Sequence, residues 1–145
     1  MSLKNHPSNK LLAELIACQS ITPKDSGCQE LIKKHLEPLG FKCETLNFGE
    51  VKNLWATKGK GGPTLCFAGH TDVVPPGPIQ DWRFDPFKAT FNEDFIYGRG
   101  ASDMKSGLAA MVTGVEDFLK MKEDFNGRIA FLITSDEEGP AMDGT

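Results

Sequence analysis

Three separate stretches of this 145-residue chain carry side chains of the types that bind metal ions or transfer protons. His70 and Asp72 follow one apolar run, Asp103 follows a glycine-rich stretch, and Glu137 and Glu138 follow a second apolar run. Histidine nitrogen and carboxylate oxygen are common ligands of zinc. A further glutamate beside such an ion can act as general base and acid. These residue types point to metal-dependent hydrolysis, provided that the fold brings the three stretches together.

His70 and Asp72 are two residues apart, so in an extended segment their side chains lie on the same face. Asp72 could then contact one ring nitrogen of His70 and leave the other nitrogen for a metal ion. The alternative is a lone histidine that is bonded to a loop carbonyl. The spacing alone leaves both interpretations open.

Asp103 precedes an amphipathic stretch, so the alternative to a role as metal ligand is a role as helix N-cap. Gly98 and Gly100 in front of it imitate a dinucleotide-binding loop, but Asp103 stands where the third glycine of that loop belongs. A carboxylate there would repel a pyrophosphate. We therefore expect no nucleotide site at this position.

Asp136, Glu137 and Glu138 end an apolar run, and charged carboxylates do not stay buried without partners. One interpretation is a solvated strand end. The other is that Gly139 and Pro140 bend the chain and turn two adjacent carboxylates into one site. Two carboxylates with different partners can take different roles, one as a metal ligand and one as a general base.

Helices and strands alternate around these residues. Apolar residues at helical spacing predict helices over 8–18, 28–39 and 103–122. Strands are predicted over 41–48, 53–57, 64–69, 95–97 and 128–135, with 64–69 and 128–135 as buried strands. The glycine-rich turn 59–63 predicts a hairpin between 53–57 and 64–69. We therefore expect one α/β domain over 1–145, with helices on both faces of the sheet and the chemistry at the carboxyl ends of its strands.

Composition argues against several classes of partner. A net charge of −4 and a pI near 5.4 do not fit a nucleic-acid binder, and the apolar runs are too short to cross a membrane. The N-terminus lacks the apolar core of a secretory signal, so we expect a cytoplasmic protein. The four cysteines are expected to be reduced, with Cys43 and Cys66 buried in strands. We do not expect His6 or His35 to be site residues.

Three motifs carry a resemblance to a known family. They are Gly-His-Thr-Asp-Val-Val-Pro at 69–75, Tyr-Gly-Arg-Gly-Ala-Ser-Asp-Met-Lys-Ser-Gly at 97–107, and Thr-Ser-Asp-Glu-Glu-Gly at 134–139. In this order they closely resemble the aminoacylase and carboxypeptidase-like family of co-catalytic zinc hydrolases. The resemblance covers roughly 11–145 and implies a zinc-peptidase-like mixed sheet. The chain would be the N-terminal portion of that catalytic domain, without the lid and dimerisation domain.

The resemblance also implies a role for each candidate residue. His70 would bind one of two Zn²⁺ ions, Asp103 would bridge both, and Glu138 would bind the second, with Co²⁺ as a possible substitute. Asp72 would orient His70, and Glu137 would be the general base and acid. No further cofactor is implied.

A substrate and partners follow from the same resemblance. Within the family, the stretches 75–78, 82–87 and 136–145 imply a small N-acyl amino acid, N-succinyl-LL-diaminopimelate, hydrolysed to succinate and LL-diaminopimelate. Hydrolysis of N-acetylornithine or of a dipeptide is the alternative within the family, and a non-catalytic α/β module is the alternative outside it. The family also implies a homodimer through the lid domain and a cis peptide bond between Asp103 and Met104.

Full-length members of the family are more than twice as long as this chain and supply further zinc ligands beyond residue 145. Each zinc would keep only two of its three protein ligands within 1–145, whereas a catalytic zinc normally has three. We therefore expect the chain by itself to be inactive.

Overall fold

A four-stranded mixed sheet and three helices form the scaffold in a computed structural model, which describes residues 3–122 and 124–144. The outermost positions of the predicted domain, 1, 2 and 145, lie outside the described residues. The helices are α1 (Pro7–Ala17), α2 (Cys28–Leu36) and α3 (Ser106–Met121). The strands are β1 (Lys42–Phe48), β2 (Val51–Lys60), β3 (Thr64–His70), β4 (Thr90–Asn92), β5 (Phe95–Tyr97) and β6 (Gly127–Thr134).

The sheet has the strand order β1-β2-β6-β3, in which only β3 and β6 are parallel. β1 and β2 form a hairpin around Gly49 and Glu50. The predicted hairpin between 53–57 and 64–69 is wrong, because β6 lies between β2 and β3 and pairs with both. The glycine-rich turn therefore links two strands that are not neighbours. β4 and β5 form a separate two-stranded sheet.

β3 is the edge strand of the sheet as described, and most of its residues are exposed. The prediction of a buried strand over 64–69 is therefore wrong: Leu65 is 58% exposed. Cys66 is exposed and Cys43 half-buried, so the expected burial of these two thiols is also wrong. All four cysteines are free thiols. β6, in contrast, is buried as predicted.

The three helices pack on one face of the sheet. Phe67, Phe131 and Ala56 share that face through their pairing register and meet the apolar stripes of all three helices in one core. On the other face, the row Trp55, Leu132 and Ala68 is at least partly exposed, and no helix among residues 3–122 and 124–144 covers it. The expected mixed α/β sheet is confirmed, but its described helices lie on one face and not on both.

α3 begins three residues later than predicted. Asp103 and Met104 have non-helical backbone angles and belong to a turn, Ala101–Lys105, that precedes the helix. Asp103 is not its N-cap, since that position is Lys105. The peptide bond between Asp103 and Met104 is cis, as the resemblance implied. In the part of the chain that the structure describes, none of the helices has the length and apolar character needed to cross a bilayer.

Candidate metal centre

The three motifs meet at one edge of the sheet. His70 ends β3 and pairs with Thr134 at the end of β6, so the segments that follow these two parallel strands leave the sheet side by side. The His70 Nε2 atom lies 3.1 Å from Oδ1 of Asp103 and 3.6 Å from Oε2 of Glu137. One ligand atom each from His70, Asp103 and Glu138 lie within 4.8 Å of one another. The structure thus brings together four of the five residues singled out by the sequence, and the fifth, Asp72, lies directly behind them.

Asp72 is completely buried and joins two of the three motifs. Its Oδ2 accepts hydrogen bonds from the backbone N–H groups of Glu137 at 3.1 Å and Glu138 at 3.0 Å. Its Oδ1 lies 3.5 Å from Nδ1 of His70. Burial opposes ionisation, but the hydrogen bonds from His70 and from these backbone groups outweigh it and hold the pKa of Asp72 below its usual value. Asp72 is therefore a carboxylate that fixes both a ring and a turn.

The contacts of His70 determine which of its ring nitrogens carries the proton. Nδ1 lies 3.0 Å from the backbone oxygen of Asp72, and a carbonyl oxygen only accepts hydrogen bonds. Nδ1 is therefore the donor, and Nε2 faces Asp103. Burial lowers the pKa of His70, but its bonds to Asp72 and Asp103 raise it to about 9. Without a cation between these groups, His70 is therefore protonated at neutral pH.

The turn that carries Asp103 is held against β3 by close packing. The His70 N–H lies 3.3 Å from the sulfur of Met104. A side chain at Gly69 would place its Cβ 2.8 Å from the Met104 methyl carbon, so Met104 would have to move away from β3. Gly100 has a φ of +76°, and a Cβ there would lie 2.5 Å from Val73. These glycines let the backbone of the turn reach the end of β3.

The set of donors fits a divalent cation. Asp103 and Glu137 are exposed and Glu138 is partly exposed, so their oxygens remain accessible. Burial and the neighbouring charge of Asp103 raise the pKa of Glu138 above its usual value. Like charges this close are unfavourable unless a cation lies between them. A cleft of about 330 Å³ lined by Val74, Asp103 and Glu138 among others opens beside the group.

Some residues lie elsewhere, and the sequence-based interpretation overlooked others. His35 lies 2.6 Å from Glu116 and links α2 to α3, and His6 is exposed before α1, so neither belongs to the group. Lys105, which lies in the Asp103 turn, contacts the end of α1, and Ser20, which follows α1, contacts the loop after His70. Neither residue was predicted. The apolar spacing in α3 gave no signal for Lys105, because a lysine there reads as a surface residue.

Comparison with known proteins identifies related sequences. The sequence model of Peptidase family M20/M25/M40 matches residues 66–145, which is more than half of the chain. The succinyl-diaminopimelate desuccinylase of Nitrosomonas europaea is 57% identical over 131 residues, covering 90% of this chain and 35% of that protein. The enzyme of the same name from an Azoarcus species is 53% identical over 145 residues and covers 100% of this chain and 38% of that protein. The chain thus spans little more than a third of the length of these relatives.

Solved structures share the fold. The M20 family metallo-carboxypeptidase Sso-CP2 from Sulfolobus solfataricus has a TM-score of 0.77 and 29% identity, covering 92% of this chain and 31% of that one. Human carnosine dipeptidase 1 also has a TM-score of 0.77, at 24% identity, covering 93% of this chain and 33% of that one. The second likeness concerns the fold alone.

Proposed function

The chain belongs to Peptidase family M20/M25/M40, and we propose that it is part of a metal-dependent amide hydrolase and contributes the first residues of its metal centre. The observation that carries the proposal is the convergence of His70, Asp103 and Glu138, whose ligand atoms lie within 4.8 Å of one another although the residues are up to 68 positions apart. One imidazole and two carboxylates are donors that suit a catalytic zinc.

His70, Asp103 and Glu138 would hold the ions, with His70 and Glu138 as ligands of different ions and Asp103 as a ligand of both. The Nδ1–H of His70 is held by Asp72, so Nε2, which faces Asp103, is the nitrogen that would give up its proton to bind a cation. When bound, divalent cations of this kind lower the pKa of a water molecule and polarise an amide carbonyl.

Glu137 is the proposed general base and acid. Its backbone N–H is fixed by Asp72, while its carboxylate is about half exposed and lies 3.6 Å from His70 Nε2. The carboxylate can therefore reach a water molecule beside His70, accept its proton and return that proton to the leaving amine. Asp72 stays ionised throughout and holds both the ring and the Glu137 backbone.

The proposed substrate is N-succinyl-LL-diaminopimelate, with hydrolysis to succinate and LL-diaminopimelate. Support comes from the relatives named succinyl-diaminopimelate desuccinylase, at 52–57% identity. We propose Zn²⁺ as the metal, with Co²⁺ as a substitute, two ions per full-length subunit, a cytoplasmic location, and a homodimer formed through a lid domain. The chain is the proposed N-terminal part of the catalytic domain, and the remaining ligands lie in the rest of the protein.

A test uses the complete protein that carries this chain. Calorimetric titration of the metal-free protein with Zn²⁺ should show binding that is lost in His70→Ala and Asp103→Ala and kept in His35→Ala, because His35 pairs with Glu116 away from the group. Release of succinate from N-succinyl-LL-diaminopimelate should exceed hydrolysis of N-acetylornithine and of a dipeptide. Absence of Zn²⁺ binding by the unmodified protein would favour a non-catalytic α/β module.

A further inference from the structure

The residues just after α1 contact both loops of the metal centre. We call residues 15–22 the α1 exit segment. It includes the last turn of α1, where the final carbonyl groups of a helix lack partners within the helix. On one side it contacts the turn that carries Asp103, and on the other side the segment that follows His70.

The contact to the Asp103 turn is made by Lys105. This side chain is completely buried, although lysine is seldom found without solvent contact unless it is paired. Its Nζ donates hydrogen bonds to the backbone oxygens of Leu15 at 2.7 Å and Cys18 at 2.9 Å. A cation at the C-terminal end of a helix is also favoured by the helix dipole. Lys105 is therefore tied to the end of α1 and not to any carboxylate of the site.

The contact to the His70 loop runs through Ser20. Its Oγ donates a hydrogen bond to the Thr71 oxygen at 2.7 Å, and its backbone oxygen accepts one from Val73 at 2.8 Å. Thr22 adds a further backbone bond to the Val73 oxygen at 3.1 Å. The residues on both sides of Asp72 are thus bonded to the exit segment.

Both contacts end within two residues of a candidate ligand. Lys105 is two residues from Asp103, and Thr71 is the neighbour of His70. The exit segment is consequently hydrogen-bonded to two loops that are 33 positions apart. His70 Nε2 and Asp103 Oδ1, which these two loops carry, lie 3.1 Å from each other.

We propose that Lys105 is a positioning residue of the metal centre, which fixes the Asp103 turn to the same exit segment that holds the His70 loop. This inference rests on the proposed function, since it assigns a role toward the metal that His70 and Asp103 would bind. Its alternative is a purely stabilising role, in which Lys105 supports the fold without affecting the geometry of the ligands. The two roles predict different metal affinities and different ligand geometries in a variant that still folds.

The experiment uses Co²⁺ as the probe in the complete, metal-free protein. Lys105→Met keeps most of the length of the side chain and removes both hydrogen bonds, and Ser20→Ala removes one bond of the other contact. Lys120→Met is the control for the first, because Lys120 is an exposed lysine of α3 paired with Asp117. Ser8→Ala is the control for the second, because Ser8 lies on α1 and bonds Thr113, away from the site.

Affinity is measured by calorimetry, and ligand geometry by the visible absorption spectrum at saturating Co²⁺. Circular dichroism confirms that each variant is folded. We expect Lys105→Met to bind Co²⁺ roughly 10- to 100-fold more weakly, the range typical for residues that hold metal ligands in place, and with a changed spectrum. Ser20→Ala should show a smaller change in the same direction, and both controls should match the wild type.

A folded Lys105→Met variant with wild-type affinity and spectrum overturns the inference. If Lys105→Met does not fold, Ser20→Ala decides: a wild-type affinity and spectrum in that variant also overturns it. If the unmodified protein binds no Co²⁺, the proposed function itself fails, and the role of Lys105 toward a metal falls with it.

Discussion

Replacing Asp72 with asparagine should weaken metal binding while the protein still folds. The change keeps the size and shape of the side chain but exchanges one acceptor oxygen for a donor amide. In the wild-type protein, Asp72 accepts hydrogen bonds from two backbone N–H groups with Oδ2 and faces Nδ1 of His70 with Oδ1. An asparagine can satisfy only one of these two sides.

The orientation that keeps both backbone bonds turns the amide NH₂ toward His70. Two donors then face each other unless the imidazole proton moves from Nδ1 to Nε2, where it occupies the lone pair meant for the metal. The bond from Nδ1 to the Asp72 backbone oxygen, at 3.0 Å, opposes that move and limits the effect. We therefore expect metal affinity to fall by about 10- to 100-fold, which corresponds to about 1.4–2.7 kcal/mol.

Stability should fall as well, since a neutral oxygen replaces a charged acceptor for two backbone groups, at about 1–2 kcal/mol in total. The pKa of Asp72 is lowered in the folded protein. Its contribution to stability is therefore present above its unfolded pKa, near 3.9, and is lost as the pH falls through the folded value. The difference in unfolding free energy between wild type and variant should accordingly shrink as the pH drops below about 4.

Zn²⁺ calorimetry on the complete protein at pH 7 measures the affinity, and denaturant unfolding of the metal-free protein at pH 7 and pH 3.5 measures stability. Asp117→Asn is the control, because Asp117 is an exposed aspartate on α3. A folded Asp72→Asn protein with wild-type Zn²⁺ affinity would refute the argument that Asp72 selects the tautomer of His70.

Three further outcomes follow from the same contacts. Glu137→Gln should keep the metal and lower turnover of N-succinyl-LL-diaminopimelate by about 10²- to 10⁴-fold; turnover near the wild-type rate would remove this residue from the mechanism. The hydrogen bond with the thiol of Cys28 lowers the pKa of Cys18 to about 7, whereas burial raises the pKa of Cys43. Iodoacetamide should therefore alkylate Cys18 with a midpoint near pH 7 and Cys43 only at higher pH, as followed by peptide mass spectrometry; equal pH profiles would contradict this. Gly100→Ala should lower the free energy of unfolding by about 1–3 kcal/mol, since the φ of Gly100 is +76°. The control Gly114→Ala, at an open helical position, should raise the free energy of unfolding by up to about 1 kcal/mol. A denaturant titration in which Gly100→Ala is the more stable of the two variants would contradict the strain argument.

Local patterns predicted the elements better than their partners. The three helices and the main strands lie close to where apolar spacing put them, because that spacing reflects which face of each element is buried. The pairing of β2 was missed, since a turn signal such as 59–63 shows that the chain reverses but not which strand becomes its neighbour. The intervening strand, β6, arrives nearly 70 residues later along the chain. The exposure of β3 was missed for a similar reason, because an apolar run does not tell whether its outer edge is paired.

The site shows the same division. The types and spacing of His70 and Asp72 were enough to expect the Asp72 carboxylate beside the ring, and the 3.5 Å between His70 Nδ1 and Asp72 Oδ1 agrees with it. The shorter contact of Nδ1, at 3.0 Å, is to the Asp72 backbone oxygen, the loop carbonyl of the alternative interpretation. The start of α3 was predicted too early at Asp103, because the apolar stripe continues into a turn whose backbone is not helical. Only the folded structure reveals Lys105, whose burial depends on the end of a helix nearly 90 residues earlier in the chain. The roles of the candidate ligands stay predictions.

Asp72 also explains how two consecutive glutamates can serve one site. In an extended strand the side chains of Glu137 and Glu138 would point to opposite faces. Here both of their N–H groups donate to the same Oδ2 atom, which is possible only if the chain has left the extended conformation. The turn therefore brings Glu137 to 3.6 Å from His70 and Glu138 into the group with Asp103. A single buried carboxylate thus aligns the histidine and turns the two glutamates toward it, so its removal should disturb the proposed base and the proposed ligands together.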